Sequence, residues 1–253
     1  MRNCIWCNKS EPNVTFKKKA HIVPQSMGGT EICANVCDKC NHFFGANHKG
    51  IPPIELVFKE AFNITRARLL GKNNVGKNKA LSRFKSIYFN VDFEKNKIEV
   101  KPSFKLQYGF QSMLCRQFKR GMYKVFLEEN ERINGDSIDD KFDFIREFAR
   151  FNIGDLPVIY FPSNVPFLLT AKDEPQTPNF SFQKKFEFQN TENGFFEIYY
   201  LGHVFSFPII RNYDLVFENY IGESIRQKQK FYKKPIILKY LTEIDLTLSF
   251  INV

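Results

Sequence analysis

Apolar and polar positions along the 253-residue chain fall into three regimes. Residues 1–50 show little regular periodicity. Thr15 to Pro24 reads as one short strand, Gly28-Gly29 as a turn, Ile32 to Val36 as the returning strand, and a helix is expected from near Asp38 toward His48. After Pro52-Pro53, Ile54, Val57, Phe58, Ala61 and Phe62 follow the i, i+3, i+4 spacing of a helix that Gly71 can end, with Lys59, Arg66 and Arg68 giving it a basic side. The polar stretch 71–79 (GKNNVGKNK) reads as a linker. From there the pattern turns strand-like. Ile87, Phe89, Val91 and Phe93 alternate, EKNK (94–97) can turn, and Ile98 with Val100 returns, which predicts a β-hairpin. Leu114, Phe118, Met122, Val125 and Phe126 mark a helix whose Arg116, Arg120 and Lys124 form an i, i+4, i+8 ridge, expected as a solvated face. A second helix is expected from about Asp139 to Asn152, with Phe142, Ile145, Phe148 and Ala149 inward and Gly154 after it. Strands are expected at 156–161, 180–189, 195–201, 204–210 and 213–221, before a last apolar stretch from Ile236 to Ile251. Phe180, Phe182, Phe186 and Phe188 alternate, NTEN before Gly194 reads as a loop, and the turn LGH makes His203 a turn residue.

Composition adds a core: 43% of residues are hydrophobic and 29 are Phe, expected as core and sheet face more than as a base-stacking platform. No run of 18 or more apolar residues occurs, and the first residues lack a signal peptide's apolar stretch, so a cytoplasmic protein with no membrane partner is expected. The net charge is +10 and the sequence pI about 9.2. Residues 1–85 carry 15 Lys and Arg against 5 Asp and Glu, whereas the remainder carries 22 of each. A charge excess confined to one third of the chain fits a polyanion as partner better than general solubilisation.

Three of the four histidines and three of the six cysteines fall between Lys17 and His48, beside that charge. Cys4-x-x-Cys7 and Cys37-x-x-Cys40 are two knuckles of the kind that hold one structural Zn²⁺ through four thiolates. The rival, a redox CxxC, would want a thioredoxin-like βαβ context that the sequence does not supply. Cys33 and Cys115 are expected as small buried apolar residues.

The sequence AHIVPQSMGG, then Asn35, then CDKCN resembles the ββα-metal signature of the HNH endonuclease family in its zinc-stapled form, over roughly residues 4–50. Phosphodiester hydrolysis needs a water deprotonated near neutral pH and a divalent cation to stabilise charge on phosphate and leaving oxygen. The resemblance implies His21 as general base, a role suited to imidazole. It implies Asn35 as the residue that orients the histidine and fixes the loop between the strands, and Asn41 as a ligand of a catalytic Mg²⁺ or Mn²⁺. One departure is Ala20, where the family often places an acidic residue or a histidine as a further ligand. His48, seven positions after Asn41 and two turns along if the helix continues, is the candidate substitute, while His42 points about 100° away. Lys17, Lys18 and Lys19, with Arg66 and Arg68, are the candidate phosphate contacts; strand alternation would turn two of the three lysines to the groove.

The expected architecture is α+β. It comprises an N-terminal zinc-bound ββα-metal module (1–52), a basic helix and linker (53–82) and a mixed α+β domain with antiparallel strands (83–253). The expected function is metal-dependent cleavage or nicking of DNA, double-stranded first. By analogy such a module joined to a second domain suits restriction, phage defence or a mobile element, with the second domain recognising a target, sensing an activating protein or ligand, or forming a homodimer. The alternatives are a zinc-containing nucleic-acid-binding module with a decayed nuclease site, an RNA-directed nuclease, and a protein-interaction role for residues 86–253.

Overall fold

The computed structural model describes residues 2–48, 50–70, 84–92, 95, 97–164, 179–181, 194–200 and 203–247. Its first ladder pairs β1 (Ala20–His21) with β2 (Ile32–Cys33), antiparallel, Ala20 opposite Cys33 and His21 opposite Ile32. The ladder is shorter than the predicted strands for a local reason. The backbone N–H groups of Lys17 and Lys18 donate to the Asp38 carboxylate at 3.2 and 2.7 Å instead of to a strand partner. Between the strands, Gly28 takes φ +91°, and a Cβ on Gly29 would collide with the Val23 carbonyl oxygen. Only glycine fits a chain folded back that closely. α1 (Asp38–Gly45) completes a ββα unit.

α2 (Ile54–Leu70) buries the five apolar positions that predicted it. The hairpin forms as β3 (Phe89–Asp92) and β4 (Lys97–Val100), with Val91 opposite Ile98. The 71–79 linker, Gly71 and Phe93 lie outside the described residues. α3 (Tyr108–Asn134) is the long central helix; Gly135, at φ +71°, ends it by donating its N–H to the Glu131 carbonyl. A 3₁₀ turn and α4 (Asp143–Ala149) follow within the predicted 139–152 segment.

The sheet has the order β6-β7-β8-β5-β9 with every neighbour antiparallel. Its strands are β5 (Ile159–Phe161), β6 (Asn179–Ser181), β7 (Phe195–Tyr200), β8 (His203–Pro208) and β9 (Ile236–Ile237). Of the phenylalanine alternation, Phe182, Phe186 and Phe188 lie outside the described residues, as does the end of the 236–251 stretch. The segment expected as a strand over 213–221 is instead a 3₁₀ turn and α5 (Phe217–Lys228). Tyr213, Phe217, Tyr220 and Ile221 share the helical period and pack together on the sheet; Tyr220 stacks on Phe195 at 3.9 Å. Packing on that face outweighs the strand propensity of the aromatics.

One continuous set of buried side chains runs from the N-terminal module through α2 and α3 into the sheet. Phe62 touches Phe118, Tyr200 and Phe205, and Phe126 touches Phe196 and Phe207, so these rings are core, whereas Tyr108, Phe151 and Phe231 are exposed. A Cβ on Gly121 would meet Phe58 at 3.0 Å, which shows how closely α2 and α3 approach. Buried without a break from 117 to 130, α3 corrects one expectation. The Arg116, Arg120, Lys124 ridge is not a solvated face, because Arg120 is 5% and Lys124 2% exposed. His203 is also corrected. It is no turn residue but a fully buried first residue of β8, its ring bonded to Thr65 Oγ1 at 2.9 Å and Tyr160 OH at 3.2 Å, and burial lowers its pKa to about 4. No helix of the described residues is long and apolar enough to cross a membrane.

Candidate functional site

The knuckles are built by backbone hydrogen bonds before any metal is considered. Cys4 N–H donates to the Lys9 carbonyl and Asn8 N–H to the Cys4 carbonyl, both at 2.9 Å, with Asn8 at φ +54° closing the first knuckle. Cys37 is the extended residue at the start of α1, and Asn41 N–H reaches its carbonyl at 2.9 Å. Ile5 N–H donates to the Asn35 carbonyl at 3.0 Å, tying one knuckle to the loop that leads into the other.

This brings the Sγ atoms of Cys4, Cys7, Cys37 and Cys40 within 4.8 Å of one another, a group that could hold a metal ion. Cys7 and Cys37 Sγ are 3.9 Å apart; sulfurs about 2.3 Å from a tetrahedral zinc ion would be about 3.8 Å apart. The donor set, four soft sulfurs, is that of zinc or an iron–sulfur centre. Two N–H groups already point at it: Cys37 N to Cys4 Sγ at 3.3 Å and Arg150 Nε to Cys40 Sγ at 3.5 Å. The Cys40 hydrogen bond, opposed by burial, lowers the Cys4 thiol to about 5, while burial pushes Cys7 up to about 11. Cys33 and Cys115 stand apart from the cluster, both buried, and burial raises both thiols. They are the apolar fillers expected.

His21 sits on β1 half-buried, with Nδ1 enclosed and without a hydrogen-bond partner. Asn41 lies in the first turn of α1 and donates from Nδ2 to the Lys19 carbonyl at 3.2 Å, which sets α1 across the chain two residues before His21. With Nδ2 engaged, Oδ1 is the atom Asn41 offers to a cation. Asn35 does not reach His21 through this arrangement: its Nδ2 donates to Glu131 Oε1 at 2.6 Å. Lys17, Lys18 and Lys19 are all exposed and precede the ladder, so strand alternation does not sort them. Asp38, held below the usual carboxylate range by the Thr15 hydroxyl and Lys18 N–H, pins the backbone of that lysine run.

The remaining candidates are placed differently from expectation. α1 ends at Gly45, so His48 is not two turns further along its face; its ring stacks on Phe43 at 4.5 Å and its Nε2 meets the Phe43 carbonyl at 3.0 Å. Arg66 is fully buried. Its guanidinium lies over Phe84 at 5.5 Å and donates to the Ser26 carbonyl at 3.3 Å, so it braces the turn region and is not on a solvated basic side. Arg68 is on α2, with its side chain outside the described residues.

Lys124, expected only as part of a solvated ridge, belongs to a wall behind the site together with Glu128 and Glu55, which the sequence did not single out. Lys124 Nζ, on α3, donates to the carbonyls of His21 at 2.8 Å and Ile22 at 3.2 Å, and pairs with Glu128 at 2.8 Å and Glu55 at 3.3 Å. Glu128 also accepts the Trp6 indole N–H at 3.0 Å. Burial raises Glu128 to about 7 despite Lys124; burial pulls Lys124 down, but its two carboxylates outweigh that and leave it above the usual lysine range. Lys124 and Glu128 at i, i+4 with opposite charge were a readable signal. Their burial was not readable, because it depends on four elements meeting around α3.

Residues 4–50, under a fifth of the chain, match the family model described as HNH endonuclease, the family to which this N-terminal module is similar. No curated protein and no solved structure matches the chain.

Proposed function

We propose that the chain is a metal-dependent endonuclease that hydrolyses or nicks DNA through its N-terminal module. The observation that carries this reading is the juxtaposition at β1. Within the 4–50 family match, His21 lies on the first strand and Asn41 of α1 is bonded to the chain just before it. In this reading His21 takes the proton from the attacking water, and Asn41 Oδ1, with water and the scissile phosphate, holds Mg²⁺ or Mn²⁺. When bound, that ion supplies Lewis-acid stabilisation of the developing negative charge. The four cysteines hold Zn²⁺ as a structural centre that replaces the core a 50-residue module lacks. Asn35 fixes the loop between β2 and α1 through Ile5 and Glu131. Exposed Lys17, Lys18 and Lys19 contact backbone phosphates and set affinity without reading bases.

A nucleic-acid substrate is supported by the positive charge excess of residues 1–85, to which the exposed Lys17, Lys18 and Lys19 before β1 contribute; duplex DNA is the substrate taken first. A restriction or phage-defence setting, and a homodimer or activator acting through the C-terminal part, follow by analogy with nuclease modules joined to a further domain.

A second reading, a module that binds nucleic acid without cutting it, is favoured by Ala20. That position is 1% exposed and offers no ligand atom. Mn²⁺ titration of zinc-loaded protein, followed by electron paramagnetic resonance, separates the two. The nuclease reading expects one further Mn²⁺ site and cleavage of duplex DNA in preference to single-stranded RNA; the binding reading expects no added Mn²⁺ and no product from either. Cleavage of the RNA alone would transfer the activity to an RNA-directed nuclease.

A further inference from the structure

We infer that a charged stripe on α3, Lys124, Glu128 and Glu131, outside the matched segment, positions the motif residues of the nuclease module, with Lys124 as the residue that sets His21. The inference rests on the nuclease reading for its catalytic consequence. Positions 124, 128 and 131 are i, i+4 and i+7, one face of the helix. Each meets a different part of the module. Lys124 Nζ donates to two successive carbonyls of the His21-Ile22 segment, Glu128 accepts from Trp6 inside the first knuckle, and Glu131 accepts from Asn35 in the loop after β2.

The stripe matters because few main-chain bonds hold β1 itself, the Asn41 and Asp38 anchors falling on the chain before it. The ladder is two residues long, and beyond it Ile22 N–H reaches only the Glu31 carbonyl, at 3.1 Å. With no hydrogen bond at Nδ1, the His21 ring is oriented by the packing around it and by the backbone it hangs from. Lys124 holds that backbone from the far side, and Glu128 and Glu55 hold the ammonium in place. Glu128 and Lys124 are 0% and 2% exposed, so no water substitutes for either. Lys124 is therefore a positioning residue. It touches the strand, not the substrate.

The test is Lys124→Met with Glu128→Gln in the full chain, a pair that removes both buried charges together, conserves volume closely and leaves an amide oxygen to accept from Trp6. Zinc content and thermal midpoint verify the fold. Hydrogen exchange of the Ile22 amide is expected to accelerate at least about tenfold, as its anchor goes. Single-turnover cleavage of duplex DNA is expected to fall about 100-fold, the scale of an ångström's misplacement of a reacting group, with KM within about twofold of wild type. Lys124→Arg, which keeps a donor toward the carbonyls, is expected to recover part of the rate. Unchanged exchange at Ile22, or a wild-type cleavage rate in the double variant, would overturn the inference. A loss confined to KM would also overturn it, since that is a binding defect. If wild type cuts nothing but exchange at Ile22 still accelerates, the positioning of β1 stands and the nuclease reading fails.

Discussion

Replacing Trp6 by phenylalanine removes a single donor from the interior, and its effect can be worked through. Trp6 is fully buried, meets Phe44 edge-on at 4.8 Å and donates its indole N–H to Glu128 Oε1 at 3.0 Å. Phenylalanine keeps the ring contact and loses the donor. A hydrogen bond to an ionised acceptor contributes about 1.5–3 kcal/mol. The missing part of the ring system leaves a few tens of Å³, worth roughly 1 kcal/mol at about 24 cal/mol per Å³. A loss of about 2.5–4 kcal/mol is therefore expected where Glu128 is ionised. The pH dependence has a definite sign. Burial raises the folded pKa of Glu128 from 4.5 to about 7, so the stability this carboxyl contributes is complete below 4.5 and is lost as pH rises through 7. Trp6 favours the ionised form, so without it the folded pKa rises further and the decline extends to higher pH. The variant's deficit should thus be larger at about pH 9 than near pH 5 by roughly 1–2 kcal/mol, a neutral acid being the weaker acceptor. Urea unfolding of both proteins, followed by far-UV circular dichroism at the two pH values, reads this directly. A deficit under about 1 kcal/mol at both, or a larger one on the acid side, would refute the assignment of Trp6 and Glu128 as a buried bond between knuckle and helix.

Three further outcomes are expected. Gly29→Ala drives a methyl into the Val23 carbonyl oxygen, so the turn between β1 and β2 must open; a loss of roughly 2–3 kcal/mol should lower the thermal midpoint by about 5–10 °C, and an unchanged midpoint would mean that the turn has another shape. Replacing Lys17, Lys18 and Lys19 together by alanine should flatten the salt dependence of DNA binding by about 0.9 in log–log slope for each phosphate that is no longer neutralised, and an identical slope would remove these lysines from the interface. Stripping zinc with a strong chelator should shift the emission of Trp6, the chain's one tryptophan, to the red as the knuckles open; metal binding of about 10–16 kcal/mol exceeds what so short a segment can replace, and an unshifted spectrum at zero zinc would show that the cysteines are not what holds it.

How much was legible depended on whether the deciding contacts were local. The knuckles, the ββα order, the helix from Ile54 and the 89–100 hairpin could be read because spacing within a few residues determines them. Cys4 and Cys37 are distant in sequence, yet their shared chemistry announces the pairing. The errors lie where distant elements decide. Arg66 and the Arg120, Lys124 ridge have the composition of solvated faces; Arg120 and Lys124 are buried because the sheet, α2 and the N-terminal module enclose the middle of α3, and Arg66, on α2, because Phe84 and the turn at Ser26 close over it. His203 looks like a turn residue until Thr65 and Tyr160 close on its ring. The 213–221 segment is aromatic enough for a strand, but its helical spacing against Phe195 prevails. At the site, motif resemblance singled out His21 and Asn41, which lie on β1 and in the first turn of α1. Glu131 as the partner of Asn35, 96 positions away, was not.

If His21 on β1 is the general base of a metal-dependent nuclease, its loss must abolish cleavage while the zinc-bound fold persists. The measurement that tests it most directly is conversion of supercoiled plasmid by wild type and His21→Ala, at equal zinc content, with Mg²⁺, with Mn²⁺ and with EDTA. Wild type should give nicked or linear product only when the divalent ion is present, and the variant should be at least about 100-fold slower, the scale of a lost general base. Equal cleavage by both proteins, or product undiminished by EDTA, would contradict it.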